Sequence, residues 1–179
     1  MKKILSKQNL NKLLISTIKV ISEDFENIIN NKKENLEKSI EVPELENIDD
    51  KNEFIKLRAE TDSEALRRKF SNKNIYNNNM PINPSCRSLY RVSEKIRYEM
   101  LGSAMLKGMS KNFKENYSFK LKSTKKQKIS KKEDASISDA FEFYLLNKFF
   151  HVKLNETNEN ILNFWKNDFE RNFDKHIDY

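Results

Sequence analysis

Tight turns are scarce in this sequence. The chain holds two glycines and three prolines, and both glycines fall between Pro84 and Phe113. Two-residue hairpins need residues that take positive φ, glycine above all, so this chain has few ways to join antiparallel strands. Leucine, lysine, glutamate and methionine, which suit helices, fill the space between these few breakers. The expected fold is therefore mainly α. With 37% hydrophobic residues, including 12 Phe, 6 Tyr and 1 Trp, its core should be aromatic and aliphatic.

The stretch from Pro84 to Phe113 organises the rest. Leu89, Val92, Ile96, Met100 and Ala104 recur at three- and four-residue spacing and share one helical face. Leu101, Met105 and Met109 form a second stripe, so the later turns are expected to be enclosed on more than one side. Asn83 and Pro84 suit a cap and first turn, and a central helix near 85–113 is expected. Glycine inside a helix costs roughly 1 kcal/mol relative to alanine. Gly102 and Gly108 are therefore read as points where neighbouring helices approach closely, with a break near Gly108 as the other possibility. Arg91 with Glu94, Glu94 with Arg97, and Lys95 with Glu99 are spaced to pair along the helix.

About five helices in one domain over 1–179 are expected, packed around that central helix. Leu10, Leu14, Ile18, Ile21, Phe25 and Ile28 define a first amphipathic helix, with a polar loop from Asn30 to Asn52 after it. Its polar face mixes Lys12 and Lys19 with Glu23, Asp24 and Glu26, which favours a core or partner-facing role over a bilayer surface. Phe54, Leu57, Thr61, Ala65, Leu66 and Phe70 mark a second helix capped by Asp50 or Asn52. On it Arg58 can pair with Asp62 and Glu64 with Arg68. The asparagine-rich stretch from Ser71 to Asn83 is read as a loop, and 114–134 as a basic linker, flexible over 120–132. The terminal pair is a helix from about Ile137 to Phe149, capped by Ser136 or Ser138, and one bearing Ile161, Phe164, Trp165, Phe169 and Phe173, capped by Thr157 or Asn158.

Formal charge is +7, from 34 basic and 27 acidic residues, which raises the question of a polyanion partner. Seven lysines without an acid lie between Lys120 and Lys132, leaving 27 basic against 27 acidic elsewhere. A basic folded surface is not indicated, and a nucleic-acid role would rest on that one segment. The single Cys86 excludes an internal disulfide and fits a reducing compartment. No run approaches the length of a membrane span, and the expected location is cytoplasmic.

No catalytic constellation emerges. His151 and His176 stand apart from any ligand cluster, and Cys86 has no histidine near it in sequence. Phosphate-cradling loops need closely spaced glycines, which are absent. Asp134-Ala135-Ser136-Ile137-Ser138 matches a metal-adhesion pattern by letters, but a lysine-rich stretch precedes it where a buried strand is required, so it reads as a helix cap. Neither metal nor cofactor is expected to bind this chain.

The segments from Arg58 to Leu66 and from Glu94 to Met109 together resemble the T subunit of the aerobic cobaltochelatase. Arg58-Ala59-Glu60-Thr61-Asp62-Ser63-Glu64-Ala65-Leu66 is similar to that family's Arg-Ala-x-Ala-Asp-x-x-Ala-Leu. The second, from Glu94 to Met109, keeps Glu94, Arg97, Glu99, Leu101, Gly102 and Gly108 of the family pattern, and Asn112-Phe113 also fits. The tail from Ile161 to Tyr179 resembles the family's closing helix more loosely. Ala104 and Met105 replace a pair of arginines. The resemblance covers the family's amino-terminal region, and no von Willebrand factor A-like domain is expected within these residues. It implies a non-catalytic part in cobalt insertion into the corrin ring during cobalamin synthesis. The implied partners are the AAA+ S subunit and, further, the large N subunit, in a complex that uses ATP, Mg and cobalt. Arg58, Asp62, Arg97 and Glu99 would position the partner, while Gly102 and Gly108 would permit close helix packing.

Overall fold

The structure is a computed structural model, and it describes residues 7–22, 50–123 and 129–177. Among the described residues there are eight α-helices, one 3-10 turn at Lys132–Asp134, and no strand. The helices are α1 (Lys7–Ser22), α2 (Lys51–Phe70), α3 (Lys73–Asn78), α4 (Pro84–Met105), α5 (Lys107–Lys122), α6 (Ile137–Phe150), α7 (Glu156–Asn163) and α8 (Lys166–Ile177).

Short polar side chains open most of them. Asp50 accepts from the amides of Asn52 and Glu53 at the start of α2, and Asn83 accepts from those of Ser85 and Cys86 ahead of Pro84. Ser136 accepts from the amide of Asp139, so the Asp-x-Ser-x-Ser letters supply the cap of α6. Asn155, rather than Thr157 or Asn158, caps α7. At the other end of α6, His151 takes the left-handed conformation with φ 51°, and the amide of Val152 reaches back to the Leu146 carbonyl.

The core is shared by α2, α4, α5, α6, α7 and α8. Phe113 and Tyr117 of α5 meet Phe150 of α6 with ring centroids 6.2 and 5.7 Å apart, and Phe141 packs on Phe169 and Phe173 of α8. The carbonyl of Leu121, orphaned at the end of α5, is met by side-chain amides of Asn155 and Asn158 at 2.6 and 3.2 Å. Helix α1 lies on α2, where Leu10 and Leu14 cluster with Leu57, and Ile18 with Ala65.

Several expectations are corrected. The stretch 85–113 is two helices, because Leu106 is extended (φ −132°, ψ 103°) and closes α4 as it opens α5. Leu101 and Met105 are consequently exposed, while Met109 is buried from the next helix. The supposed linker 114–134 is helical as far as Lys122, because Met109, Phe113, Tyr117 and Leu121 repeat every fourth residue and all are buried. The stretch 71–83 contains α3, capped by Asn72. The terminal segment forms three helices, the last two divided near Phe164. Phe25, Ile28, most of the 30–52 loop and residues 124–128 lie outside the described residues.

Candidate functional site

The two quoted motifs meet along the seam between α2 and α4, and their residues are partners of one another. Leu66 lies against Gly102, Phe70 offers its carbonyl to Arg97, and Ser71 donates to Glu94, so α2 and α4 run antiparallel. A Cβ built on Gly102 would fall 2.2 Å from Leu66 Cδ1, and glycine is what allows the helices this close. At Gly108 nothing stands within 4 Å, so close packing is not what its missing side chain provides. It sits just past the break at Leu106.

Glu99 is the centre of the seam. It is 1% exposed, and Ser63 Oγ and Tyr117 Oη donate to its two oxygens at 2.6 and 2.5 Å. Lys95 Nζ lies 3.9 Å away and also stands 5.6 Å from the centre of the Tyr117 ring. Burial raises the Glu99 carboxyl above its ordinary range, against the opposing pull of Lys95, Ser63 and Tyr117. Burial and the neighbouring Glu99 likewise push Tyr117 well up. One carboxylate thus joins α2, α4 and α5, and hydrogen bonding to both oxygens offsets part of its desolvation cost.

Asp62 is also enclosed, at 3% exposure, and its carboxylate accepts from Asn112 Nδ2 of α5 at 2.7 Å. Burial raises it too, opposed by that hydrogen bond and by the charge of Arg58. The expected Arg58–Asp62 pair is replaced by this longer-range contact: Arg58 is exposed and, among the described residues, makes no ion pair with Asp62 within 4 Å. Arg97 forks onto Glu94 at 2.7 and 2.8 Å, and the same Nη2 reaches the Phe70 carbonyl at 2.7 Å. Glu94 is thereby held low by Arg97 and Ser71, and no pair with Arg91 forms. Glu64 pairs with both Arg67 and Arg68 at 2.7 Å.

Of the four residues expected to position a partner, Asp62 and Glu99 face inward, Arg97 is half-exposed and Arg58 is exposed. Neither buried carboxylate presents itself to a second protein in this arrangement. Sequence reasoning missed Ser63 and Tyr117 as the partners of Glu99 and Asn112 as the partner of Asp62, although the four-residue repeat around Tyr117 was there to be read. Among the described residues of the lysine cluster, Lys120 is engaged on Glu142 at 2.8 Å, and Lys132 on Asp168 at 2.6 Å and over the Trp165 ring. Among the described residues no group of three or more His, Cys, Asp or Glu is placed to hold a metal ion.

These features define a mainly α-helical protein in which the characteristic residues lock helix to helix around a buried carboxylate. Residues 6–179 match the profile of the family described as Cobalamin biosynthesis protein CobT, and the chain belongs to that family. Membership gives it a role in cobalamin biosynthesis. No curated protein and no solved structure matches the chain. No described helix is long and apolar enough to cross a membrane.

Proposed function

We propose that this chain is a non-catalytic module of an ATP-dependent cobaltochelatase that binds the AAA+ S subunit and supports cobalt insertion into the corrin ring. The observation that carries this reading is the family match, which runs over residues 6–179 and includes both helices of the seam. ATP, Mg and cobalt belong to the assembled complex, the large N subunit is a further partner, and the assembly works in the cytoplasm. Asp62 and Glu99 act by fixing how α2, α4 and α5 sit, while Arg58 and Arg97 present the resulting surface.

Size-exclusion chromatography with light scattering tests this on the chain mixed with the S subunit, with and without ATP and Mg²⁺. Co-elution as a large ATP-dependent complex is expected, and separate elution under every condition refutes it. A complex that forms equally well with Arg58→Glu, and with Arg97→Ala combined with Glu99→Ala, removes those three positions from the binding function. Nucleic-acid binding through 120–132 has less support, because Lys120 and Lys132 are already paired with acids of α6 and α8.

A further inference from the structure

Beside the seam, a groove of about 280 Å³ opens between α2, α3 and α4. Arg67 from α2, Lys73 and Tyr76 from α3, and Arg91 and Lys95 from α4 line it. Its one carboxylate, Glu94, is already satisfied: Arg97 forks onto both oxygens, and Ser71 donates to one of them at 2.7 Å. Arg67 is committed to Glu64, and Lys95 lies 3.9 Å from the buried Glu99. Lys73 and Arg91 are exposed and, among the described residues, have no carboxylate within 4 Å. The C-terminal dipole of α2 explains basic residues in its own last turn. It does not explain cations brought to the same place by α3 and α4. Tyr76, stacked on Tyr90 with centroids 5.2 Å apart, adds an aromatic wall.

We propose that this groove binds a carboxylate-rich segment of a partner protein, Arg91 and Lys73 taking its acidic side chains and Tyr76 an adjoining apolar one. The guanidinium of Arg91 offers a planar fork that matches a carboxylate, and the excess of positive charge steers such a segment in. A short groove suits individual side chains, whereas a nucleic-acid surface needs cations strung out along successive phosphates. This inference deepens the partner-binding reading and rests on it for the identity of the partner, since it names the chemistry by which the AAA+ subunit would be held.

The test uses the full chain and fluorescence anisotropy of three labelled probes: a peptide alternating Glu and Leu, its Gln counterpart, and single-stranded oligo-dT. The Glu peptide is expected to bind in a salt-sensitive manner and the Gln peptide not to bind. Lys73→Glu combined with Arg91→Glu should weaken the Glu peptide by about tenfold or more, with Lys153→Glu, on a distant loop, leaving it unchanged. Lys73→Gln with Arg91→Gln should give a smaller loss in the same direction, which guards against a folding defect in the reversed variant. Equal binding to the reversed and unaltered chains overturns the proposal. So does equal loss with Lys153→Glu, or oligo-dT bound as tightly as the Glu peptide. The S subunit separates the two readings. If its complex forms and survives the reversal, the groove assignment fails and the partner stands. Failure of any complex to form, with the peptide still held in the groove, leaves the groove and removes the partner.

Discussion

At Gly102 a Cβ would fall 2.2, 2.4 and 2.8 Å from Leu66 Cδ1, Cδ2 and Cγ, inside any permissible contact. Leu66 is 1% exposed and has little room to retreat. Gly102→Ala should therefore destabilise by about 1–3 kcal/mol, and combined with Leu66→Ala the loss should be smaller than the sum of the two single losses, because the two positions share one space. Gly108→Ala meets nothing and should gain a few tenths to about 1 kcal/mol. Urea melts of both single variants, their combination and Gly108→Ala decide this, and a neutral Gly102→Ala would mean that α2 and α4 can part at no cost. Glu99 makes a second test at the same scale. Its folded carboxyl titrates above the ordinary 4.5, chiefly because it is buried. Below that value both folded and unfolded chains hold the proton, and the contribution of Glu99 is whole. As pH rises toward the folded-state value, the unfolded chain releases its proton first and stability falls. Glu99→Gln keeps an acceptor for Ser63 or Tyr117 and cannot titrate. Its stability relative to the unaltered chain should rise with pH from about 4.5 upward and then level off, while Asp62, Glu64 and Glu94 titrate in both and largely cancel in the difference. A pH-independent difference would show that burial does not raise the Glu99 carboxyl in the folded chain.

Helix α6 ends where a non-glycine residue holds the left-handed conformation, and the strain is local. The side chain of His151 is exposed at φ 51°, and the cap is closed by backbone groups of Val152 and Leu146. His151→Gly should relieve about 1 kcal/mol and raise Tm by roughly 2–4 °C in calorimetry. A fall in Tm would mean that the imidazole contributes a contact worth more than the strain. The apolar run placed this end at Phe149, one residue short, but the left-handed cap was not legible beforehand, because no glycine marks it. The starts were easier: Asp50, Asn83 and Ser136 announce α2, α4 and α6 through a short polar side chain placed before a periodic apolar run. Helix α5 was hidden by its own surface. Lys111, Lys114, Lys120 and Lys122 give it the look of a solvated linker, while one narrow stripe of Met109, Phe113, Tyr117 and Leu121 does the packing. The break at Leu106 has no proline or glycine cap of its own, and Gly108, two residues on, was the one signal of it, read as an alternative to close packing. The pairings of Glu99 with Tyr117 and of Asp62 with Asn112 cross between helices, and spacing within one helix cannot reveal them.

On the scale of the whole molecule the helices are unequally held. Helices α2 and α4 to α8 share one continuous core, tied further by the Asn155 and Asn158 amides on Leu121 and by Trp165 Nε1 on the Ala135 carbonyl. Helix α1 instead rests mainly on small clusters with Leu57 and Ala65; among its described side chains Ile21 reaches the main core, while Leu13 and Val20 are left in solvent. Local opening costs least where few apolar contacts must break. Native-state hydrogen exchange should therefore show the amides of 11–22 opening at a clearly lower free energy than those of 109–121 and 140–150. The fluorescence of Trp165, the one tryptophan, should lose its native signal together with the bulk of the far-ultraviolet circular dichroism, after α1 has begun to exchange. Equal protection in α1 and α5 would mean that the small clusters under α1 are coupled to the main core. A fluorescence transition well below the dichroism transition would instead divide α6 to α8 from α2, α4 and α5. The rings of Phe113, Tyr117 and Phe150 lie across that boundary, which is the physical reason to expect a single transition there.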